Sequence, residues 1–312
     1  VVGIYQGNQI SLIEKLLPEI AYRGKSGKTL FQNGYCSLGM IWNDSQAPPL
    51  KSGKNEIIYE DQGGDGRSVK IVLSQENIVL SRDFLGIAPL YYGWKDNEFL
   101  LFSSEVKPLI NLVPKVNELL PGHVFNGKNS VPQITLPQES VTKDDPSQIA
   151  KKLYKLLSEA VQKCIPAQKI GSLLSGGLDS SAISAIARHD INTFHTFAAG
   201  VNSAPDLLYA RKVAEHIGSI HHEMVVTQQD LITILPEVIY HLESFDPLLV
   251  RSSVTNYLVA RLAAEYVPAV FSGEGGDELF AGYEYLKSIP PEELTDELRD
   301  ITLRLHNTAL HR

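Results

Sequence analysis

Two hydrophobic periodicities divide this chain. Up to about residue 130, short runs alternate apolar and polar side chains, as in SVKIVLS (68–74), NIVLSRDF (77–84) and NEFLLFSS (97–104). Period two sends successive side chains to opposite faces, so these runs predict antiparallel strands. Gly63-Gly64-Asp65-Gly66 predicts a hairpin turn between them, and the apolar run CSLGMI (36–41) predicts a strand that carries Cys36 into the core. The segment Asn129–Pro146 holds three prolines among scattered polar residues and reads as a linker. Beyond it the period changes. Pro146-Ser147 followed by Ala150, Leu153, Leu156, Leu157 and Val161 predicts an amphipathic helix, and Asp206 is expected to cap a helix over Leu207–Ile217 that Gly218 closes. The organisation is therefore two domains, 1–135 and 146–312.

Two segments in the second domain read as strand, glycine loop, helix. In KIGSLLSGGLDSS (169–181) the run Ile170–Leu174 predicts a buried strand, Gly176-Gly177 a sharp turn, and Ser180-Ser181-Ala182-Ile183 the opening of a helix. The unpaired first amides of a helix and the positive end of its dipole make an anion site, which a phosphate suits. The loop is not GxxxxGK[ST], because no lysine follows the glycines. Asp179 inside such a loop would repel phosphate by roughly 4 kcal/mol per charge pair at 4 Å and intermediate dielectric, so a Mg²⁺ between them is expected. VFSGEGGDELFAGY (270–283) repeats the pattern, with Asp277 at a predicted helix start. Two such units imply a parallel sheet whose ligands gather beyond the carboxyl ends of the strands. Asp179 and Asp277 are thus predicted to share one crevice and one Mg²⁺, an ion that keeps water and phosphate oxygens as its other ligands.

On these strings the chain resembles the glutamine-hydrolysing asparagine synthetases, members of the PP-loop ATP pyrophosphatases. LLSGGLDSS (173–181), TFAAGV (196–201), SGEGGDELFAGY (272–283) and RDFLGIAPLYY (82–92) carry the resemblance, with FSSEVKPL (102–109) and LPGH (120–123) in support, all in the family's order. The resemblance implies an α/β protein: an N-terminal antiparallel αββα sandwich of the Ntn-hydrolase type, then a doubly wound parallel sheet of the adenine nucleotide alpha hydrolase type. It further implies that a carboxylate, aspartate first among candidates, attacks the α-phosphate of ATP, and that ammonia or an amine then displaces AMP. By resemblance Ser175, Gly176, Gly177, Leu178, Asp179, Ser180 and Ser181 would bind pyrophosphate. Leu174, Ala199, Gly273 and Glu274 would line the nucleotide site. Glu274 falls where the family places a carboxylate beside the incoming amine, and Asp179 and Asp277 would hold the metal.

The resemblance also has departures. The family opens with Met-Cys-Gly-Ile-Phe and uses that cysteine as nucleophile, whereas this chain reads Val1-Val2-Gly3-Ile4-Tyr5. Its HRGPD string appears as Tyr22-Arg23-Gly24-Lys25-Ser26. Activated cysteine chemistry needs a thiolate and a base, so glutaminase activity is expected to be absent and free ammonia to be the nitrogen source. In the family, the segment after a stretch like LHNTALHR (305–312) supplies a lysine that meets the pyrophosphate. The second domain therefore reads as a C-terminally shortened synthetase module. Alternatives are an amide ligase of β-lactam-synthetase or lasso-cyclase type and a pseudoenzyme that serves as a binding partner; an NAD or GMP synthetase conflicts with the N-terminal strings.

Composition narrows the classes. A formal charge of −8 with no basic cluster disfavours nucleic acid as a partner. Two cysteines far apart fit a reducing cytosol and exclude a disulfide framework. The most apolar stretch, 251–271, is broken by Arg261 and Glu265, so no membrane span is expected and the localisation reads as cytoplasmic. A homodimer is compatible with all of this. His221-His222-Glu223 lacks metal-ligand spacing, since neighbours on a strand face opposite ways. Glu243 and Asp246 read as turn residues, and Arg251 as a candidate grip for a substrate carboxylate.

Overall fold

A computed structural model describes residues 1–43, 50–52, 56–62, 68–133, 142–165 and 169–306. The predicted Gly63–Gly66 turn lies outside these. The chain forms two compact units, Val1–Gln138 and Glu139–Leu305.

The first unit holds two six-stranded sheets, every pairing antiparallel. One contains β1 (Val2–Tyr5), β2 (Gly27–Gln32), β3 (Cys36–Trp42), β8 (Tyr91–Lys95), β9 (Phe99–Ser103) and β10 (Asn117–Glu118), in the order β10-β8-β9-β1-β3-β2. The other contains β4 (Leu50–Ser52), β5 (Glu56–Gln62), β6 (Ser68–Ser74), β7 (Ile78–Arg82), β11 (His123–Phe125) and β12 (Ser130–Pro132), in the order β12-β11-β7-β6-β5-β4. The alternation decides their stacking. Val69, Ile71 and Leu73 of β6 point into one core with Cys36, Leu38 and Met40 of β3, while Ser68, Lys70, Val72 and Ser74 alternate to the opposite face. Val2 and Ile4 point the other way, into a second core beneath α1 (Ile10–Leu16) and a 3-10 segment over Leu17–Arg23. Of the two helical layers expected, the described residues hold this one.

The second unit is a four-stranded parallel sheet, β13 (Ile170–Leu173), β14 (His195–Val201), β15 (Ile220–Val226) and β16 (Ala269–Phe271), in the order β15-β14-β13-β16. α2 (Pro146–Cys164) precedes it, and α3 (Leu178–Asp190) and α4 (Pro205–Ile217) connect its first three strands. α5 (Gln228–Leu242) and α6 (Pro247–Ala263) carry the chain back to β16, which α7 (Gly276–Phe280) and α8 (Pro291–His306) follow. Both faces are covered, as a parallel sheet requires: Leu174 and Ala198 pack with Leu207 and Ala210 of α4, and Phe197 with Val259 and Ala263 of α6. The chain steps outward from β13 to β15 and then crosses to the far side of β13. That reversal puts a switch point between β13 and β16, where doubly wound sheets open a crevice.

Three boundaries differ from expectation. Part of the supposed linker is β12, an edge strand paired with β11. Asp206 does not cap α4; Ala204 holds that position and Asp206 sits in the first turn, because Pro205 already supplies the helical φ of the first position. Helix α3 begins at Leu178, two residues before the predicted opening, which moves Asp179 from the loop into the helix's first turn.

Candidate functional site

The loop after β13 is shaped by Gly176. Its φ is +80°, and a Cβ there would lie 2.5 Å from Tyr209 Cβ and 2.6 Å from the Ala210 nitrogen. Only glycine fits both the left-handed backbone and the contact with α4. Hydroxyls fix the rest of the turn. Ser175 and Ser180 Oγ lie 2.9 Å apart, the Ser175 amide donates to Ser180 Oγ at 3.3 Å, and the Gly177 amide donates to Ser175 Oγ at 3.3 Å. The turn therefore delivers Asp179 at the start of α3 in one orientation.

The loop after β16 folds against it. A Cβ on Gly273 would fall 2.7 Å from the Ser180 nitrogen, and one on Gly276 would fall 2.6 Å from Asp179 Cγ and 2.7 Å from its Oδ2. The Asp179 carboxylate thus occupies the space a side chain at 276 would need. Asp277 sits likewise against Gly282, where a Cβ would come within 2.0 Å of Oδ1. The glycines of the second string are therefore seats for the two aspartates.

Between the loops lies a cleft of about 230 Å³. Ser175, Gly177, Asp179 and Ser180 line it on one side; Ser272, Gly273, Glu274, Gly275, Asp277, Glu278 and Tyr283 line it on the other, with Leu173 and Asn256 between. Four of these are carboxylates and none is basic. The consequence is visible at Asp277, whose carboxyl is pushed up by burial first and then by the charges of Asp179 and Glu278. The Tyr283 hydroxyl donates to Glu278 Oε1 and is pushed well up by burial and by that carboxylate. Asn256 Nδ2 donates to Glu274 Oε1 at 3.3 Å.

Such a donor set fits a hard divalent cation better than it fits phosphate alone. Among the described residues no three acidic or histidine side chains converge closely enough to hold an ion unaided. Asp179 in the first turn of α3 and Asp277 in the first turn of α7 are the residues that could hold Mg²⁺, an ion that takes its remaining ligands from water and phosphate oxygens.

Of the residues singled out from sequence, Ser175, Gly177, Asp179, Ser180, Gly273, Glu274 and Asp277 meet here. Gly176 is absorbed by the contact with α4, and the Leu178 side chain is 83% exposed. Leu174 is buried among Ala198, Leu207 and Ala214, and Ala199 packs beside Phe197, so neither side chain lines the cleft. Ser181 Oγ is buried without a hydrogen-bond partner. Arg251 is exposed on α6 and does not line the cleft, and Asp246 caps that helix, accepting from Leu248 and Leu249 at 2.8 and 3.1 Å. His221 and Glu223 share one face of β15, with Arg211 clamping Glu223 through two bonds of 2.6 Å, and His222 turns to the other face against His195 at 2.9 Å. Sequence reasoning missed Asn256, which no local signal marks. Tyr283 and Glu278 lay in the quoted string without a role.

The asparagine synthase family profile matches residues 152–310, and a glutamine amidotransferase domain profile matches 68–111. Asparagine synthetase [glutamine-hydrolyzing] of Gallus gallus is 37% identical over 281 residues, covering 78% of this chain and 50% of that protein. The probable asparagine synthetase [glutamine-hydrolyzing] of Dictyostelium discoideum is 34% identical over 335 residues, 92% of this chain and 60% of that one. The chain thus spans about half the length of the relatives it matches. Among solved structures, a glutamine phosphoribosylpyrophosphate amidotransferase from B. subtilis gives a TM-score of 0.36 at 11% identity, over 74% of this chain and 69% of that chain. With half the chain under one profile and relatives above 30% identity, this protein belongs to the asparagine synthase family.

Proposed function

We propose that this protein forms an amide bond through an acyl-adenylate, with ATP as the activating substrate, aspartate as the carboxylate and ammonia as the nitrogen donor. One observation carries the reading: two glycine-seated aspartates line one cleft at the switch point of a parallel sheet, beside a loop of hydroxyls and backbone amides. At about 230 Å³ the cleft is smaller than the roughly 300–1,000 Å³ of pockets that enclose a small ligand. It suits the polyphosphate end of a nucleotide.

Asp179 and Asp277 would hold Mg²⁺, which neutralises the triphosphate and the pyrophosphate that leaves. The first turn of α3 and the Ser175 and Ser180 hydroxyls would orient the phosphates, so that the substrate carboxylate meets the α-phosphorus in line. Glu274, across the cleft, would receive the amine and take the proton it loses on attack.

The nitrogen source follows from the first unit. Val2, at the position of the family's nucleophile, is fully buried and carries no thiol. The Cys36 thiol is buried in the inter-sheet core, which pushes it up to about 12. Neither supports a thiolate for glutamine hydrolysis.

The test is isotope exchange of pyrophosphate into ATP with Mg²⁺ and a panel of carboxylic acids. Exchange dependent on aspartate, followed by asparagine formation on adding ammonium, is the expected result. Exchange with another acid alone would transfer the reading to a related amide ligase, and none with any acid would support a binding role.

A further inference from the structure

We propose that Asn256 is a positioning residue for Glu274 and sets the affinity of the site for ammonia; this rests on the role of Glu274 given above. The helix brings Asn256 there by register. Val259 and Ala263, three and seven residues further along α6, are buried against Phe197 and Val267. Asn256 continues that stripe by one turn, to where it borders the cleft instead of the core.

There it meets a side chain with little else to hold it. Glu274 is exposed, and its backbone amide donates to Ser272 Oγ at 3.3 Å. Its carboxylate shares the cleft with Asp179, Asp277 and Glu278, all of the same sign. The Asn256 amide, donating to Oε1 at 3.3 Å, opposes that repulsion and fixes one oxygen. A carboxylate only accepts, so the nitrogen end of the amide must face it, leaving Asn256 Oδ1 and Glu274 Oε2 as two acceptors.

Two adjacent acceptors suit a small nitrogen that carries several N–H bonds. Each would take one, and the lone pair would be left for the acyl carbon. As the C–N bond forms, the C–O bond to AMP breaks and AMP departs with the electron pair. The nitrogen gives up one proton, which Glu274 receives. Asn256 exchanges no proton; it holds the acceptor in place.

Asparagine formation at varied ammonium, with pyrophosphate exchange measured in parallel, tests this on the whole chain. Asn256→Leu should raise the KM for ammonium about tenfold, the scale of one lost hydrogen bond to a charged group. Exchange and the KM for aspartate should change far less than the KM for ammonium, and retained exchange also reports that the variant is folded. Asn256→Asp should move the acid limb of the pH profile upward, since paired carboxylates share a proton. An unchanged ammonium KM in both variants, with exchange intact, would overturn the role of Asn256 alone. Absence of aspartate-dependent exchange in the unaltered protein would overturn the reading beneath it and this inference together.

Discussion

Asp179 fills the space that a side chain at Gly276 would occupy, with Oδ2 2.7 Å from where the Cβ would be. Two strings nearly a hundred residues apart are fitted to each other at this point. The contact is a packing constraint with a functional sign: nothing in the local backbone of Gly276 demands glycine, since its φ is not positive. Gly276→Ala should therefore displace the Asp179 carboxylate while the helices remain. Pyrophosphate exchange is expected to fall on the order of a hundredfold, as for a catalytic group misplaced by about 1 Å, with melting temperature nearly unchanged. Full exchange in this variant would show that Asp179 need not stand where it does.

Asp277 links the site to stability. Its carboxyl is raised by burial and by Asp179 and Glu278, so its ionised form is better accommodated in the unfolded chain. The group lowers stability between its unfolded and its raised value, keeps that cost at higher pH, and loses it in acid. Asp277→Asn is expected to melt higher than the unaltered protein near neutral pH and to approach it at about pH 3, where the Asp277 carboxyl is largely protonated in the folded and the unfolded chain alike. Exchange should be lost in the same variant. Thermal melts across pH decide it, and a variant that melts lower at neutral pH would contradict the repulsion argued here.

What was legible in the sequence tracks how local the cause is. β6 and β7 were readable because their alternate positions are buried and β6 alternates strictly for that reason, whereas β1 and β9 are buried along both faces and were readable only as short apolar runs. The loops at 175–177 and 272–276 were readable because glycine and acidic residues cluster in few other contexts. Asn256 was not, since its partner lies eighteen positions away on another element and only the packing of α6 joins them. Helix starts slipped where two local causes compete: Pro205 displaced Asp206 from the cap, and Gly177 let α3 begin at Leu178. Leu174 and Ala199 were assigned to the nucleotide by resemblance, yet their side chains serve the two faces of the sheet.

In the first unit, Glu105 is a buried carboxylate with three donors. Arg23 reaches it at 2.8 Å, and Lys107 and Tyr22 are also bonded to it. Burial alone would push its carboxyl up, but the bonds from Lys107, Tyr22 and Arg23 outweigh this and hold it below the ordinary range. The Tyr22 hydroxyl is pushed up to about 12, by burial first and then by Glu105. Glu105→Gln should cost about 2 kcal/mol, because it leaves the mostly buried Lys107 ammonium without its charged partner, whereas the Arg23 side chain is 41% exposed and regains water. A lowered carboxyl contributes stability above its unfolded value and loses it as pH falls through the folded one. The gap between the two proteins should therefore narrow below about pH 4 in denaturant titrations. A constant gap down to that range would mean that Glu105 acts through packing rather than charge.

The two cysteines give the last prediction, because they differ in burial and not in chemistry. Cys36 lies fully buried in β3 among Leu38, Ile71 and Phe102, whereas Cys164 at the end of α2 is half-buried. A thiol reacts as its thiolate, and burial that lifts Cys36 to about 12 leaves roughly one part in a hundred thousand ionised at neutral pH. Native protein treated with iodoacetamide should carry label on Cys164 alone, with Cys36 labelled only after unfolding, as peptide mass analysis would show. The same protein given glutamine should release no glutamate, since Val2 stands where the family's nucleophile would and the Cys36 thiol of that unit is buried. Glutamate release, or fast labelling of Cys36 in the native state, would require the inter-sheet core to open far enough to expose a nucleophile.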